Sequence, residues 1–587
     1  MRANEKILFS NDRFLGYISK VTQGGVFVQI PNSVLINPFW ENGHEYIGGV
    51  VGNFVVIEGQ NYGFLGKIRE VSIPENDIDK MTNDIKEKNK SEITKFHPIS
   101  IIDILLCFDY YDVTPKSLSH FPQVGSKVFL CEEQFLEKIL SKNEFENTTK
   151  FDFASIQNKD TVKVHISPKS LFERHCAIIG NTGGGKSWTV AKVIEEVLAK
   201  EDNKKIILID ATGEYCRFAN NHKVIPVYFG NETPHIETAN KYKKAHYDYK
   251  KFTFTDLRLL LRPSPQSQTP KLLDAVKSLK IVKYYKDNDK LHDQPELQKA
   301  IEYYFNDCNN LFEKQNKSKD RYYKIYSIIG DYIDKDDTDI DIKQLARQVY
   351  IECVYDDGDN WTKVDERSRG FQTTLINRIN SIKLIKSLND IFNLDNSQQK
   401  ESNITTIIDT FLKDETKKML ILDLSNAAFD FNVREILVNV IGKELLTMAR
   451  NGQFKERPLL VFIDEAHQFL NKSIEVATAE DVSLNAFDLI AKECRKHGLY
   501  LCIATQMPRD IPVGILSQIG TFIIHRLINE IDIEKIRNAC TEANKWVLQG
   551  LANLGQGEAI LLSVNLPFPI TIKIKKPETE PLSKSPW

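Results

Sequence analysis

Gly180-Asn181-Thr182-Gly183-Gly184-Gly185-Lys186-Ser187 fits the spacing GxxxxGK[ST]. Glycines in such a run let backbone N–H groups turn inward around a phosphate without Cβ clashes. The lysine reaches the β- and γ-phosphates as a point charge, and the hydroxyl after it ligates Mg²⁺. Lys186 and Ser187 hold those two places, within a nucleotide-binding stretch from Gly180 to Trp188. The chemistry expected here is binding of ATP with Mg²⁺.

A second group lies in "RPLLVFIDEAHQFL". Four apolar residues, Leu460 to Ile463, lead into Asp464 and Glu465. A carboxylate at the C-terminal end of a strand sits where a Mg²⁺ shell is needed, which gives Asp464 to the metal. Glu465, next along, can polarise an attacking water. An acidic pair alone often just ends a strand. Following a phosphate loop, on a second strand, it points to hydrolysis.

Other candidates carry two readings each. "LCIATQMPRD" ends a strand with Thr505 and Gln506, either a γ-phosphate sensor or a strand cap. Arg495 in "KECRKHG" closes a helix before Gly498, where a cation is favourable anyway. Arg174, just before the phosphate-loop strand, could be an arginine finger supplied to a neighbour. Asp210 and Glu214 in "IILIDATGEY" could face the nucleotide or serve the local fold.

The elements that must position these groups are legible as periodicity. "HCAII" reads as a buried strand, and 187–200 places Val190, Val193, Ile194, Val197 and Leu198 on one face of a helix. The order strand, loop, helix puts the phosphate at a helix N-terminus, with its positive dipole end. Strand-like runs then alternate with helical periods: "KKIILID", "KKMLILDLS", 431–450, "RPLLVFID", 485–497, "LYLCIA", "TFIIHRL" and "EAILLSV". That alternation predicts βαβ units and a mostly parallel sheet.

Residues 1–165 read differently, as short Val/Ile/Phe/Tyr-rich strands separated by glycine turns, which suggests a small β-barrel. A polar, Lys/Glu-rich insertion at 74–97 is expected to be a helical or mobile excursion. Between the core strands, 235–415 is polar and contains helical periods such as "KLLDAVKSLKIVKYY" and "GFQTTLINRINSIKLIKSL". A structureless loop of that size is implausible, so it reads as an inserted helical subdomain. Its basic-aromatic stretches, "KYKKAHYDYKK" and "KSKDRYYKIY", could touch nucleic acid or form solvated helix surface. The expected division is a β-barrel over 1–165, a P-loop α/β core over 166–234 and 416–575, the insert, and a tail over 576–587.

Bulk composition narrows the classes. The 587 residues are too many for one ordinary domain. A net charge of -3 gives no global basic field, so any nucleic-acid surface must be local. The nine cysteines are scattered with no CxxC pair, which supports neither disulfides nor zinc. No apolar run approaches the roughly 18 residues of a membrane span, and the first residues lack a signal-peptide core, so a cytoplasmic location is expected.

Taken together, "RHCAIIGNTGGGKS", "IDATGEY", "LLVFIDEAHQFL", "AKECRKHGLYLCIATQMPRDIPVGILSQIGTFIIHRL" and "GEAILLS" resemble the HerA-type ATPases, a branch of the HerA–FtsK motors. The resemblance covers 1–230 and 417–575. It implies a HAS-barrel at the N-terminus, a homohexameric ring with ATP between subunits, and double-stranded DNA threaded through the pore. It implies that Lys186, Ser187, Asp464 and Glu465 carry hydrolysis, that Arg174 and Arg495 act on the γ-phosphate, at least one in trans, and that Gln506 is the sensor. "PFPITIKIKKP" would then be a strand or tail bracing a neighbouring subunit.

The Lys/Asn/Ile-rich composition looks like that of a low-GC bacterial gene. Bacterial relatives of this type imply a separately encoded effector, a nuclease or a sirtuin-like NAD hydrolase, docked through the barrel in anti-phage defence. An ATPase scaffold that gates such an effector with little or no translocation is the alternative reading.

Overall fold

The computed structural model describes residues 8–583 apart from 23, 42, 76, 79–95, 111–112, 117–119, 142–149, 158, 201–202, 235, 289–293, 428–431, 471–472, 475–481, 541–546 and 549. Most of the polar insertion expected at 74–97 lies outside these residues. The chain divides into two compact units. One comprises Met1–Arg174, Gly183–Gly185 and Gly520–Lys576, the other His175–Thr182, Lys186–Ile519 and Pro577–Trp587.

Alternation of apolar and polar side chains builds the first unit. Strands β1 (Phe14–Thr22), β2 (Gly25–Gln29), β3 (Phe54–Ile57), β4 (Tyr62–Ser72), β5 (Ile99–Asp109) and β6 (Lys127–Leu130) pair antiparallel throughout. The order β2–β1–β6–β3–β4–β5 returns to β2, so the six strands close into a barrel with no open edge. Leu15, Val26, Val28, Val55, Ile57, Phe64, Ile68, Ile102 and Val128 fill its interior. Gly16 sits at a register shift in β1. A Cβ there would come 2.4 Å from the Gln29 carbonyl oxygen, so only glycine permits the approach.

Beyond the barrel the chain forms β7 (Phe151–Ile156) and β8 (Lys159–Ile166), an antiparallel pair. The second unit then begins with β9 (Cys176–Ile179) and continues through helix α1 (Lys186–Lys200), β10 (Lys205–Asp210) and β11 (Val224–Tyr228). After the insert come β12 (Met419–Asp423), α4 (Val433–Arg450), β13 (Leu459–Ile463), α5 (Ala486–Glu493) and β14 (Leu499–Thr505). All these strands are parallel, in the order β9–β14–β13–β10–β12–β11. Strands β9, β10, β12 and β13 are buried at every residue, as expected where helices cover both faces of a parallel sheet.

The insert packs α2 (Gln268–Asp287) and α3 (Glu366–Leu384) with further helices. Its core includes Ile281, Ile301, Tyr304, Phe312 and Ile325. It is not purely helical, because Lys317–Ser318, Asn360–Val364 and Val354–Asp356 form a three-stranded antiparallel sheet.

The last three strands differ from the sequence reading. β15 (Thr521–Ile524), β16 (Glu558–Ser563) and β17 (Ile570–Ile574) are antiparallel, and β17 pairs with β7. "TFIIHRL" and "EAILLSV" therefore form antiparallel pairings within the first unit. An apolar run marks a strand buried on both faces but not the direction of its neighbours. "ITIKI", read by resemblance as bracing a neighbouring subunit, pairs within its own chain. Among the described residues no helix is long and apolar enough to cross a membrane.

His175 fixes the start of β9. It is buried with φ +59. Its Nδ1 accepts the Leu501 N–H at 3.0 Å, so Nε2 carries the proton and donates to the Ala491 carbonyl at 3.0 Å. Burial, and to a lesser degree the charge of Arg495, push its pKa down to about 4, which keeps it neutral.

Candidate active site

The C-terminal ends of parallel strands are where an open α/β sheet presents loops to a ligand. Five adjacent strands deliver chemistry there. β9 runs into the glycine loop, β10 ends in Asp210, β12 in Asp423, β13 precedes Asp464 and Glu465, and β14 ends in Thr505 before Gln506. Ladder bonds extend past the strands: Gly180 N–H donates to the Thr505 carbonyl at 3.2 Å, and Asp464 N–H to that of Ile209 at 3.0 Å.

The glycine loop needs glycine at two positions for conformational reasons. Gly183 has φ +78 and Gly185 has φ +110. Gly183 has open space around it, whereas a Cβ on Gly185 would lie 3.1 Å from Gly557 Cα. Gly557 N–H in turn donates to the Gly184 carbonyl at 3.1 Å, so the turn before β16 backs the loop. Sequence reasoning gave Gly557 no role.

Lys186, 5% exposed, donates from Nζ to Asp464 Oδ1 at 3.0 Å and to Glu465 Oε1 at 2.8 Å. Burial works against its charge, but the two carboxylates outweigh it and hold its pKa above the ordinary value. Asp464 is fully buried, which raises its pKa in spite of Lys186. Gln506 Nε2 donates to Glu465 Oε1, and Gln506 Oε1 accepts from the Thr182 hydroxyl at 2.6 Å. The carboxylate can only accept, so the amide orientation follows from the network. Thr182, Gln506, Glu465 and Lys186 thus form one hydrogen-bonded chain. Glu465 adopts φ +46, a costly backbone state for a non-glycine residue.

His467, which the sequence reading left without a role, places Nδ1 3.3 Å from Glu465 Oε2 and 3.3 Å from the Thr505 hydroxyl. Burial lowers its pKa although Glu465 opposes the shift. Asp423 was also missed. It is the register partner of Asp210 and is buried. Its signal was available, because "IILID", "LILD" and "VFID" are three strand runs that each end in aspartate.

The open choice on Asp210 and Glu214 resolves in part. Both Asp210 oxygens are taken by backbone N–H groups, Oδ1 from Gly213 at 2.7 Å and Oδ2 from Tyr215 at 3.0 Å. Burial, then the charges of Asp423 and Asp464, push its pKa well up. Asp210 therefore shapes the loop after β10. Glu214 lies in that loop, and burial raises its pKa although Ser187 opposes the shift. Trp188 and Asn181 are half-buried beside the loop, and Arg174 and Arg495 are exposed. Arg495 lies on the short 3-10 turn Cys494–His497, closed by Gly498 at φ +80.

These side chains fit a magnesium nucleotide. Asp464 Oδ2 is buried with no hydrogen-bond partner among the described residues, the state of a carboxylate oxygen suited to water in a Mg²⁺ shell. Lys186 commits two of its three N–H donors to carboxylates, and phosphate oxygens are equivalent acceptors.

Comparison with known proteins places the chain. The family model "Helicase HerA, central domain" matches residues 152–445, and "Helicase HerA-like C-terminal" matches 437–568. A probable helicase of Methanocaldococcus jannaschii is 26% identical over 77% of this chain and 74% of its own. A probable DNA double-strand break repair helicase HerA of the same organism is 24% identical over 83% of this chain and 86% of its own. Among solved structures, VirB4 of Thermoanaerobacter pseudethanolicus is similar at 12% identity and TM-score 0.43, over 73% of this chain and 97% of that one. The bacterial conjugative coupling protein TrwB is similar at 11% identity and TM-score 0.42, over 76% of this chain and 94% of that one. The chain belongs to the HerA helicase family and is an ATPase of the HerA type.

Proposed function

We propose that this chain is the motor subunit of a DNA-translocating ATPase. Six copies form a ring around double-stranded DNA, and the ring serves a separately encoded effector in anti-phage defence or DNA processing. The observation that carries the ATPase chemistry is the hydrogen-bonded chain from Thr182 through Gln506 and Glu465 to Lys186. Family membership, with relatives named as DNA double-strand break repair helicases, supports DNA as the track. Because the net charge is only -3, the DNA contact must be a local surface.

Gly180 to Trp188 would hold the triphosphate of ATP, and Ser187 with Asp464 would hold Mg²⁺. When bound, Mg²⁺ neutralises charge developing on the phosphate oxygens. The protein's own groups do the rest. Phosphate oxygens compete with Asp464 and Glu465 for Lys186 Nζ. As Lys186 turns to the phosphates, Glu465 Oε1 is released to accept a proton from the attacking water. Gln506 keeps that carboxylate oriented and ties it to Thr182, so the state of the phosphate loop is felt at the base. Arg174 and Arg495, both exposed, are the side chains that would supply positive charge to a neighbouring subunit's site.

The effector, a nuclease or a sirtuin-like NAD hydrolase, would dock through the N-terminal barrel. Measuring ATP turnover with and without duplex DNA, and with and without the neighbouring gene's product, tests the reading. Stimulation by DNA that weakens steeply with salt is expected. A stable effector complex with no response to DNA would mean that the ring is a gating scaffold instead.

A further inference from the structure

Charge is one-sided in part of the insert. Over the whole sequence Lys and Arg number 77 and Asp and Glu 80. Residues 366–389 instead hold five cations, Arg367, Arg369, Arg378, Lys383 and Lys386, against the single carboxylate of Glu366. The helix Ile342–Ile351 adds Lys343 and Arg347 and no carboxylate. A solvated helix face ordinarily mixes both signs.

The Ile342–Ile351 helix packs against α3. At one end the Arg369 guanidinium lies 4.0 Å from the Tyr350 ring centroid, and at the other Lys383 Nζ donates to the Lys343 carbonyl at 3.2 Å. Lys343, Arg347 and Tyr350 follow the helical repeat along one side, and all three are exposed. Arg367 and Lys386 are exposed too, Arg367 over the ring of the exposed Phe371. The exposed positions of α3 between them carry Thr373, Thr374, Asn377, Asn380 and Ser381, all neutral hydrogen-bonding groups.

The carboxylates at the edge of this face are engaged locally. Asp341 Oδ1 accepts the Lys343 N–H and Asp365 Oδ1 the Ser368 N–H, each at 3.0 Å, which caps the two helices. Glu366 pairs with Arg369 at 3.0 Å. Asp395, which feels the charge of Lys343, accepts the Ser397 N–H at 3.0 Å. Arg378 is spent inside the insert, donating to the Leu261 and Arg262 carbonyls at 2.6 Å. Lys343, Arg347 and Lys386 make no side-chain hydrogen bond or ion pair among the described residues. The basic-aromatic stretches noted in the sequence are less available, because Lys244 pairs with Asp390 at 2.7 Å, Lys324 with Glu296 at 2.5 Å, and Lys319 with Asp356.

We infer that Lys343, Arg347, Arg367 and Lys386, with the neutral polar side chains of α3, form a face that binds the phosphate backbone of duplex DNA. This rests on the reading of DNA as the track, and it names the local surface that a chain of net charge -3 must supply. Exposed cations without internal partners take phosphates at no cost to the fold. Thr, Asn and Ser donate to phosphate oxygens as well, contacts that position a duplex without reading its sequence. The 19 residues of α3 span about 28 Å, and duplex DNA presents a charge roughly every 1.7 Å along its axis, so the face can meet several phosphates.

The test is fluorescence anisotropy of a labelled duplex titrated with the full chain at several salt concentrations. The triple variant Lys343→Ala, Arg347→Ala, Lys386→Ala should bind more weakly and lower the slope of log affinity against log salt by about 2 to 3, near one unit per lost phosphate contact. Lys343→Arg, Arg347→Lys, Lys386→Arg keeps the charges and should keep the slope. ATP turnover without DNA should be unchanged in both variants.

A wild-type chain that does not bind duplex DNA would overturn the DNA reading itself, and this face with it. Wild-type binding with the same affinity and slope in the triple-alanine variant would overturn the face alone. A triple-alanine variant that loses affinity at an unchanged slope would also overturn it, since the face would then serve a contact with protein rather than with phosphates.

Discussion

Lys186 Nζ lies 2.8 Å from Glu465 Oε1, so the lysine proposed to bind phosphate and the carboxylate proposed to activate water are hydrogen-bonded to each other. With Asp464 they form a buried group of one cation and two carboxylates. Removing one member of such a group leaves uncompensated charge in the interior, which costs far more than an exposed pair is worth.

Lys186→Ala should abolish ATP hydrolysis. It should also destabilise the fold by about 3–5 kcal/mol at neutral pH, because Asp464 and Glu465 lose their counter-charge. Burial already raises the Asp464 pKa, so protonation as pH falls should relieve part of that loss. Denaturant unfolding of wild type and variant at pH 7.5 and 5.5 checks this. An equal deficit at both values would speak against repulsion between the carboxylates as the cause.

Gln506→Ala should slow hydrolysis by about 10- to 100-fold while leaving nucleotide affinity in place, since the amide orients Glu465. Equilibrium binding of an ATP analogue beside single-turnover hydrolysis separates the two effects. A loss of affinity as large as the loss of rate would make Gln506 a phosphate-binding group.

Gly185→Ala should cost more than Gly183→Ala. Both residues have positive φ, which costs a non-glycine residue about 1–3 kcal/mol. Only Gly185 also meets backbone, the Gly557 Cα at 3.1 Å. Thermal unfolding of the two variants ranks them, and the reverse order would contradict the backing role of Gly557.

His175 gives stability a pH dependence with a defined window. Burial holds its pKa at about 4, against an ordinary value of 6.5. Below pH 6.5 the unfolded chain takes up a proton that the folded chain refuses until about pH 4. The contribution is therefore complete above 6.5 and lost as pH falls to 4, up to about 3 kcal/mol. His175→Asn, which tolerates positive φ, should be less stable at pH 7 and flatter across that window. Identical slopes in the two proteins would remove His175 as the source.

Much of the site was legible because its chemistry uses residue types with few substitutes. The glycine loop, Lys186, Ser187 and the Asp464-Glu465 pair stand at strand ends that periodicity alone locates. Gln506 could be named but not oriented, because its partners Thr182 and Glu465 are far away in sequence. Gly557 was missed for the same reason, whereas His467, two residues from Glu465, and Asp423, at the end of a strand run like those of Asp210 and Asp464, had signals in the sequence that the reading passed over. The barrel strands followed from alternation and glycine turns. The antiparallel direction of β15 and β16 did not, since a strand buried along nearly its whole length reads the same whichever way its neighbours run. The small sheet in the insert was hidden because its pieces are two to five residues long, too short for periodicity to show.

The most direct test of the account is steady-state ATP turnover of the full chain as duplex DNA is titrated in, with Glu465→Gln alongside. Turnover that rises with DNA in the wild-type chain, and falls by about 100-fold or more in Glu465→Gln at every DNA concentration, is the predicted result. Wild-type turnover indifferent to DNA, or a Glu465→Gln chain that turns over like wild type, would contradict it.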